Sequence, residues 1–413
     1  MKTQWELASE LPELPESVDL ASPHLHADYD LQPVWELLRS RQPVFWHPPK
    51  SRDLGFWVIS RHADVAAVYR DTASFSSAKG NVLDVLLDGG DSAAGRMVSV
   101  SDGQYHGAIR SLLMKGFTPE SLAGVARRVE AAVRRLVADA VDRGHCDFAK
   151  EIAAAIPLQA ICDLLGVSEE DRRFILEQTS ATVGSESPTA TAADAFKAKS
   201  EILYYFSRLA DMRRTTPTAD VVTALVEAHV RGRKLADDEI VFNCYSLILG
   251  GDETTRLAIV GAALAFAQDP GALEELRSGR ASIDTAVEEV LRWTTPSMHQ
   301  ARVAREDVEL HGQRIREGDI VTLWNVSANY DERAFGLPGE FRLSRSPNRH
   351  LTFGVGPHFC LGSHLARLEV AAVLRAVRDL VGGIELAGAP QPVFSNFQGG
   401  YCGLPVRLHP NGQ

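Results

Sequence analysis

The spacing of apolar and polar positions changes twice along the chain. Val44–Trp46 and Phe56–Ile59 are short aromatic and β-branched runs, separated by the turn-rich HPPKSRDLG. That pattern predicts a hairpin. Helical spacing then takes over. Thr118-Pro119-Glu120 offers a capping hydroxyl, a proline at the first position and an acid in the first turn. The apolar stripe of ARRVEAAVRRLVADAV carries this helix to Gly144. Further helices are expected over 149–165, 169–180, 197–213 and 219–230. The longest is expected over 237–268, with Asp237 as its cap and Asp269-Pro270 as its end. At 1.5 Å per residue it would run ~48 Å, enough to cross a domain. Gly250-Gly251 falls near its middle, where each glycine costs about 1 kcal/mol against alanine. A long buried helix weakened at its centre implies that something lies against it there. From 300 to 323 the period shortens again, to the strands ARVA, VEL, QRI and DIVTL. A last pair fits GGIEL and LPVRL. The chain thus reads as mainly α with a small β-rich part (α+β) built from both ends. A single domain, 1–413, is expected, without repeats or linkers.

Composition narrows the partners. The net charge of -11, from 43 basic and 54 acidic residues, argues against nucleic acid as the main partner and against an anionic membrane surface. The start, MKTQWELASELPELPES, has no apolar signal-peptide core. The apolar stretch Leu257–Ala267 is far short of the roughly 20 residues that span a bilayer. The five cysteines (Cys146, Cys162, Cys244, Cys360 and Cys402) are odd in number, scattered and without a C-x-x-C pair. This excludes a fully paired disulfide framework and a zinc ribbon. A cytoplasmic protein free of membrane is expected.

The candidate chemistry centres on FGVGPHFCLG, residues 353–362, with the skeleton Phe353, Gly356, Cys360 and Gly362. Glycines ahead of the cysteine allow a tight turn and close approach to a flat ligand. The helical SHLARLEVAAVLRAVRDLV follows, so Cys360 lies near a helix N-terminus, where the dipole favours a thiolate. Backbone N–H groups there can bond the sulfur and tune a bound metal. The plain alternative is a buried core cysteine.

With this loop the sequence resembles the cytochrome P-450 family, specifically its soluble bacterial members. The likeness extends from the hairpin near Val44 to the last strands. It implies the family fold, with the long central helix over haem b and Cys360 on the iron. Phe353, Gly354, Gly362 and Gly250 would surround the cofactor. In GGDETT, residues 250–255, the resemblance puts an acid and an alcohol, Glu253 and Thr254, on the oxygen side of the haem. Dioxygen activation consumes two protons; a hydroxyl can hold an ordered water and a carboxylate can relay protons from solvent. Without Cys360 the same acids would read as a solvated helix face.

His106 and Arg110 share one helical face and, with Arg302 and His358, match the family's haem-propionate partners. Buried carboxylates need such cations and donors. Glu289-Val-Leu-Arg292 also shares a face and matches a structural pair, with Arg342 or Arg345 of FRLSR as an undecided third member. SANYDERAF and SPNRHLTFG resemble segments leading to the cysteine loop, with Tyr330 where arginine is common. Gly250 stands where the family often has alanine, widening the space above the iron.

Leu247, Gly251, Pro296, Met298, His299 and Phe397 match positions lining the family's substrate pocket. For His299 a core role is as good a reading. Residues 77–97 and 179–195 are expected to be mobile lids. The haem domain takes up the length, so the resemblance implies electrons from NAD(P)H through a ferredoxin and ferredoxin reductase. Arg110, Lys115, Arg127, Arg128, Arg134, Arg135 and Arg367 would form a basic patch that steers an acidic ferredoxin; solvated helix faces are the simpler reading of the 127–135 arginines. The implied function is insertion of one oxygen atom, by hydroxylation or epoxidation, into a mid-sized small-molecule substrate. A polyketide, peptide or phenolic secondary metabolite, free or on a carrier protein, is the preferred class. The alternatives are oxidative coupling or ring formation at the same haem, and a non-catalytic haem sensor or recruiting platform.

Overall fold

The computed structural model describes residues 18–183 and 191–412. The predicted hairpin forms: Val44–His47 pairs antiparallel with Phe56–Ile59, Trp46 opposite Trp57. It is the edge of a five-stranded sheet that continues through Ile320–Trp324, His299–Ala304 and Phe75–Ser76. The Ile320–Trp324 strand runs parallel to Phe56–Ile59 and antiparallel to His299–Ala304. Both ends of the chain therefore build one sheet, as the apolar pattern implied. A second sheet joins Val381–Leu386, Pro405–Pro410 and His145–Asp147.

Helix Pro119–Arg143 starts where the Thr118 hydroxyl accepts the Ser121 N–H and ends where Gly144 turns left-handed at φ 74°. Glycine takes that conformation without a Cβ penalty. The central helix is Asp237–Gln268, but Asp237 is not its cap. Ala236 occupies that position, and its N–H bonds back to the Glu239 carboxylate at 2.7 Å. An acid at the third helical position can reach back this way, which leaves Asp237 free to meet Arg214.

Other boundaries moved. The 149–165 segment divides into a wide turn, Phe148–Ala153, and a helix, Ala155–Leu165. The next helix is Arg172–Val183, and the 197–213 helix extends to Ala192–Thr215 behind a Thr191–Asp194 capping box. The 219–230 segment is helical only over Val221–Glu227 and then enters a small hairpin, His229–Val230 with Arg233–Lys234. Of the expected lids, 77–97 contains the helix Leu83–Leu87, pinned by buried Leu83 and Leu86. Residues 184–190 of the second lid lie outside the described residues.

The main core wraps the central helix. A smaller core gathers Val18, Trp35, Phe56, Leu83, Met298, Ala301, Val303 and Trp324 behind the five-stranded sheet. Among the described residues no helix is long and apolar enough to cross a membrane.

Candidate active site around Cys360

The cysteine loop is shaped by its glycines. Gly354 and Gly356 have φ of 64° and 86°, and a Cβ on Gly356 would meet the Tyr69 carbonyl oxygen at 3.0 Å. Both positions suit glycine alone. The loop closes through Cys360 N–H to the Phe353 carbonyl, 2.9 Å, and Phe359 N–H to Gly356, 3.0 Å. The following helix is Ser363–Leu380, with Gly362 as its first flanking residue. Residues 352–362 stay partly exposed, while the Cys360 thiol itself is largely shielded.

Burial pushes the Cys360 thiol up; the Gly362 N–H and the charges of Arg110 and Arg367 work in the opposite direction. Helix position alone therefore does not secure the thiolate here. A bound metal ion would, because coordination deprotonates a thiol.

Beside the loop stands a cluster of nitrogen donors. His106, on the helix Gly103–Met114, lies 4.1 Å from His358, ring to ring, and its Nε2 has no hydrogen-bond partner among the described residues. Burial, reinforced by His358, Arg110 and Arg302, lowers the His106 pKa to about 4. His358 Nε2 meets Asp102 at 3.2 Å. Burial works against the Asp102 carboxylate, yet hydrogen bonds with His358, Ser76 and Arg305 outweigh it and hold its pKa below the usual range. Arg302 is buried, packs its guanidinium 5.4 Å from the Tyr69 ring centroid, and keeps an unpaired Nε. Burial lowers its pKa, as it does that of Arg110. Buried donors without acceptors are costly. His106 and Arg302 thus present what a group with buried carboxylates requires.

The central helix shows an open stripe. Phe242, Ser246, Leu249, Gly250 and Thr254 stay at least partly exposed on a helix otherwise mostly buried. Their spacing of three or four residues puts them on one face. A Cβ on Gly250 would meet nothing within 4 Å. Thr254 hydrogen-bonds weakly to the Gly250 carbonyl, 3.4 Å. Glu253 is buried and paired with Arg256 one turn on.

The expected pocket residues divide. Gly251 faces the other way from Gly250, since a Cβ there would sit 2.9 Å from Ile161. Leu247 and Pro296 are buried, and Phe397 is half-buried. Met298 and His299 belong to the smaller core instead of the open stripe. Met298 packs there with Ala301 and Val303. His299 is fully buried 4.6 Å from Trp324, with Phe397 at 5.5 Å. Strand alternation explains the place of His299, which is three residues from Arg302 and points to the opposite face; Met298 lies just before the strand.

Glu289 and Arg292 form a bidentate pair at 2.8 and 2.9 Å, both fully buried. The third member is Arg345, whose Nε reaches Glu289 at 2.9 Å; Arg342 contributes only its backbone N–H, at 2.8 Å. Tyr330 lies under the Arg292 guanidinium, 5.2 Å from its ring centroid, and its hydroxyl bonds the Trp293 carbonyl. Within the expected basic patch, Arg128 is paired with Asp163, Arg134 with Asp379 and Arg367 with Glu288. Those ion pairs weaken the patch.

Glu369 was not singled out from sequence. It is fully buried on the helix behind Cys360, with Asp252 and Thr255 of the central helix as polar neighbours. Burial, then the Asp252 charge, pushes its pKa well above the usual carboxylate range. The signal available was an acid in an apolar stretch, LARLEVAAV, nine residues past the cysteine.

A glycine-shaped cysteine loop, unpartnered buried nitrogen donors beside it and an open face on the central helix together fit a haem-protein architecture. The comparisons agree. The family model described as cytochrome P450 matches residues 193–377. Cytochrome P450 NovI of Streptomyces niveus is 44% identical over 95% of this chain and 97% of its own. The steroid C26-monooxygenase of Mycolicibacterium smegmatis is 32% identical, over 92% and 94%. The crystal structure of P450 OxyD, involved in the biosynthesis of vancomycin-type antibiotics, superposes with a TM-score of 0.85 at 36% identity, covering 96% of this chain and 100% of that one. The chain belongs to the cytochrome P450 family and is a monooxygenase of it, working with haem b, dioxygen and a source of electrons. The residues present fit that cofactor: a thiol that a metal ion would deprotonate, buried nitrogen donors that could meet carboxylates, and a glycine with room beside it on the central helix.

Proposed function

We propose that the chain inserts one oxygen atom into a mid-sized secondary metabolite, of polyketide, peptide or phenolic type, free or on a carrier protein. The likeness to OxyD, which is involved in the biosynthesis of vancomycin-type antibiotics, supports the class of substrate. The carrying observation is the open Gly250–Thr254 face in a molecule whose cysteine loop also stays partly exposed. In this reading Cys360 holds the iron. Phe353, Gly354 and Gly362 frame the loop, while His106, Arg110, Arg302 and His358 hold the propionates. Haem supplies activation of dioxygen when bound. Thr254 holds a water by its hydroxyl beside Gly250, and Glu253, swinging from Arg256, passes it protons from solvent. Glu289, Arg292 and Arg345 fix the loop beneath without touching the reacting atoms. Electrons come from NAD(P)H through a ferredoxin and its reductase, which meet the unpaired part of the basic face. The protein works in the cytoplasm as one haem domain. Turnover under labelled dioxygen, read by product mass, tests this. A gain of one labelled oxygen supports it; loss of two hydrogens without oxygen means coupling and overturns it.

A further inference from the structure

Two uncharged polar pairs stand close in sequence to residues that the reading above assigns to the haem. Ser246 is one turn before Gly250 on the open stripe, and its hydroxyl reaches the Ser99 hydroxyl at 3.3 Å. On the sheet side, Gln300 shares a strand face with Arg302, two residues on. Its Oε1 accepts from Asn81 Nδ2 at 3.4 Å. Ser246 and Gln300 both remain partly exposed on elements that are otherwise mostly buried.

Both pairs rest on fixed backbone. Asn243, fully buried on the central helix, accepts the Val98 N–H at 2.9 Å and donates to the carbonyls of Arg96 and Glu239. Ser99 follows Val98 directly and is thereby held over Ser246. The Asn81 carbonyl accepts the Ala301 N–H at 2.8 Å, which ties Asn81 to the strand bearing Gln300. Preorganised polar groups in a mostly apolar site fix a ligand's orientation and identity.

Their unused valences describe the ligand. Asn81 Oδ1, Gln300 Nε2 and the Ser99 hydroxyl hydrogen have no protein partner among the described residues. They offer one acceptor and several donors, all neutral. Cations near the outer half of the central helix are engaged elsewhere: Arg96 with Asp238, Arg233 with Glu239, and Lys199 with Ser92 and the Tyr245 ring. Arg110 and Arg302 belong to the propionates in the reading above.

We propose that Ser99–Ser246 and Asn81–Gln300 select substrates bearing an amide or hydroxyl group and discriminate against a carboxylate. This rests on the proposed function and specifies its substrate chemistry. A neutral group that both donates and accepts can satisfy Asn81 and Gln300 at once. A carboxylate entering the same place would be desolvated without a cation.

The test uses the haem-loaded full chain and imidazoles that anchor on the iron through their ring nitrogen. Their alkyl tails, of graded length, end in a carboxamide, a hydroxyl, a carboxylate or a methyl group. Dissociation constants come from the shift of the haem absorption band. At the best tail length the carboxamide is expected to bind about tenfold tighter than the methyl tail, the worth of one ordinary neutral hydrogen bond. The carboxylate is expected to be the weakest. Gln300→Leu and Ser246→Ala should each reduce the carboxamide preference to below about threefold, while plain imidazole binds as before, showing an intact site. A carboxylate tail as tight as the carboxamide, no carboxamide preference at any length, or a preference that survives both substitutions would overturn the proposal. The titration requires bound haem and no turnover. A retained preference alongside absent oxygen insertion would therefore sink only the oxygen-insertion reading.

Discussion

Acidification should unfold this protein in part through two histidines buried behind the sheet. Burial, with His26 nearby, lowers the His299 pKa to about 3, and burial lowers that of His47 to about 4. Both start from an ordinary value of 6.5 and are essentially inaccessible. A base whose pKa is depressed by folding binds its proton more readily when unfolded. Its stability contribution is thus full above 6.5 and declines as pH falls towards the folded value. At pH 5 the unfolded chain carries both protons and the folded one almost none. Relative to pH 7 this costs about 2 kcal/mol per histidine, or about 4 together. Between pH 6 and 4.5 each contributes a slope of about 1 kcal/mol per pH unit. His299→Phe isolates one share. The His299 ring lies between Trp324 and Phe397, so phenylalanine can take its place. Urea unfolding followed by tryptophan fluorescence at pH 7, 6, 5 and 4.5 reads the slope. Between pH 6 and 4.5 the variant should lose about 1 kcal/mol per pH unit less than the parent. Parallel decline of the two proteins would refute the reasoning.

The paired glycines should respond oppositely. Gly250→Ala meets open space and should stabilise the helix by about 1 kcal/mol, whereas Gly251→Ala strikes Ile161 and should cost about 1–3 kcal/mol, both by thermal denaturation. Arg345→Leu leaves Glu289 with one fewer buried cation and should cost about 3 kcal/mol in denaturant unfolding of the haem-loaded protein; a cost below about 1 kcal/mol would show that the third partner is dispensable. Thr254→Ala should divert reducing equivalents into hydrogen peroxide and lower product per NAD(P)H several-fold. Unchanged coupling would remove Thr254 from proton delivery.

Local signals were legible where the chemistry is local. Thr118-Pro119 and Gly144 mark both ends of their helix because a cap, a fixed φ and a left-handed residue are written in adjacent positions. The span of the central helix was readable, though its cap is Ala236 and not Asp237, and Gly250 marked the place where one face stays open. Long-range partners were not. Choosing Arg345 over Arg342 depends on how residues 336–348 fold over Glu289, which no spacing encodes. Ser99 meets Ser246 and Asn81 meets Gln300 across more than a hundred residues, so neither pair had a sequence signature. For His299 the sequence left a pocket place and a core place equally open. Counting strand alternation back from Arg302 puts it on the opposite face and favours the core. Glu369 stood in an apolar helix pattern, where the pattern shows burial but not the neighbouring Asp252 that raises its pKa further.

The central claim is that Cys360 holds a haem iron through its sulfur. The most direct measurement is the absorption spectrum of the purified protein after dithionite reduction and exposure to carbon monoxide, beside that of Cys360→His. The parent should show the strongly red-shifted Soret band that a thiolate opposite carbon monoxide produces, and the variant the band of histidine-ligated haem. A parent band at the histidine position, or no haem in the parent, would contradict the account.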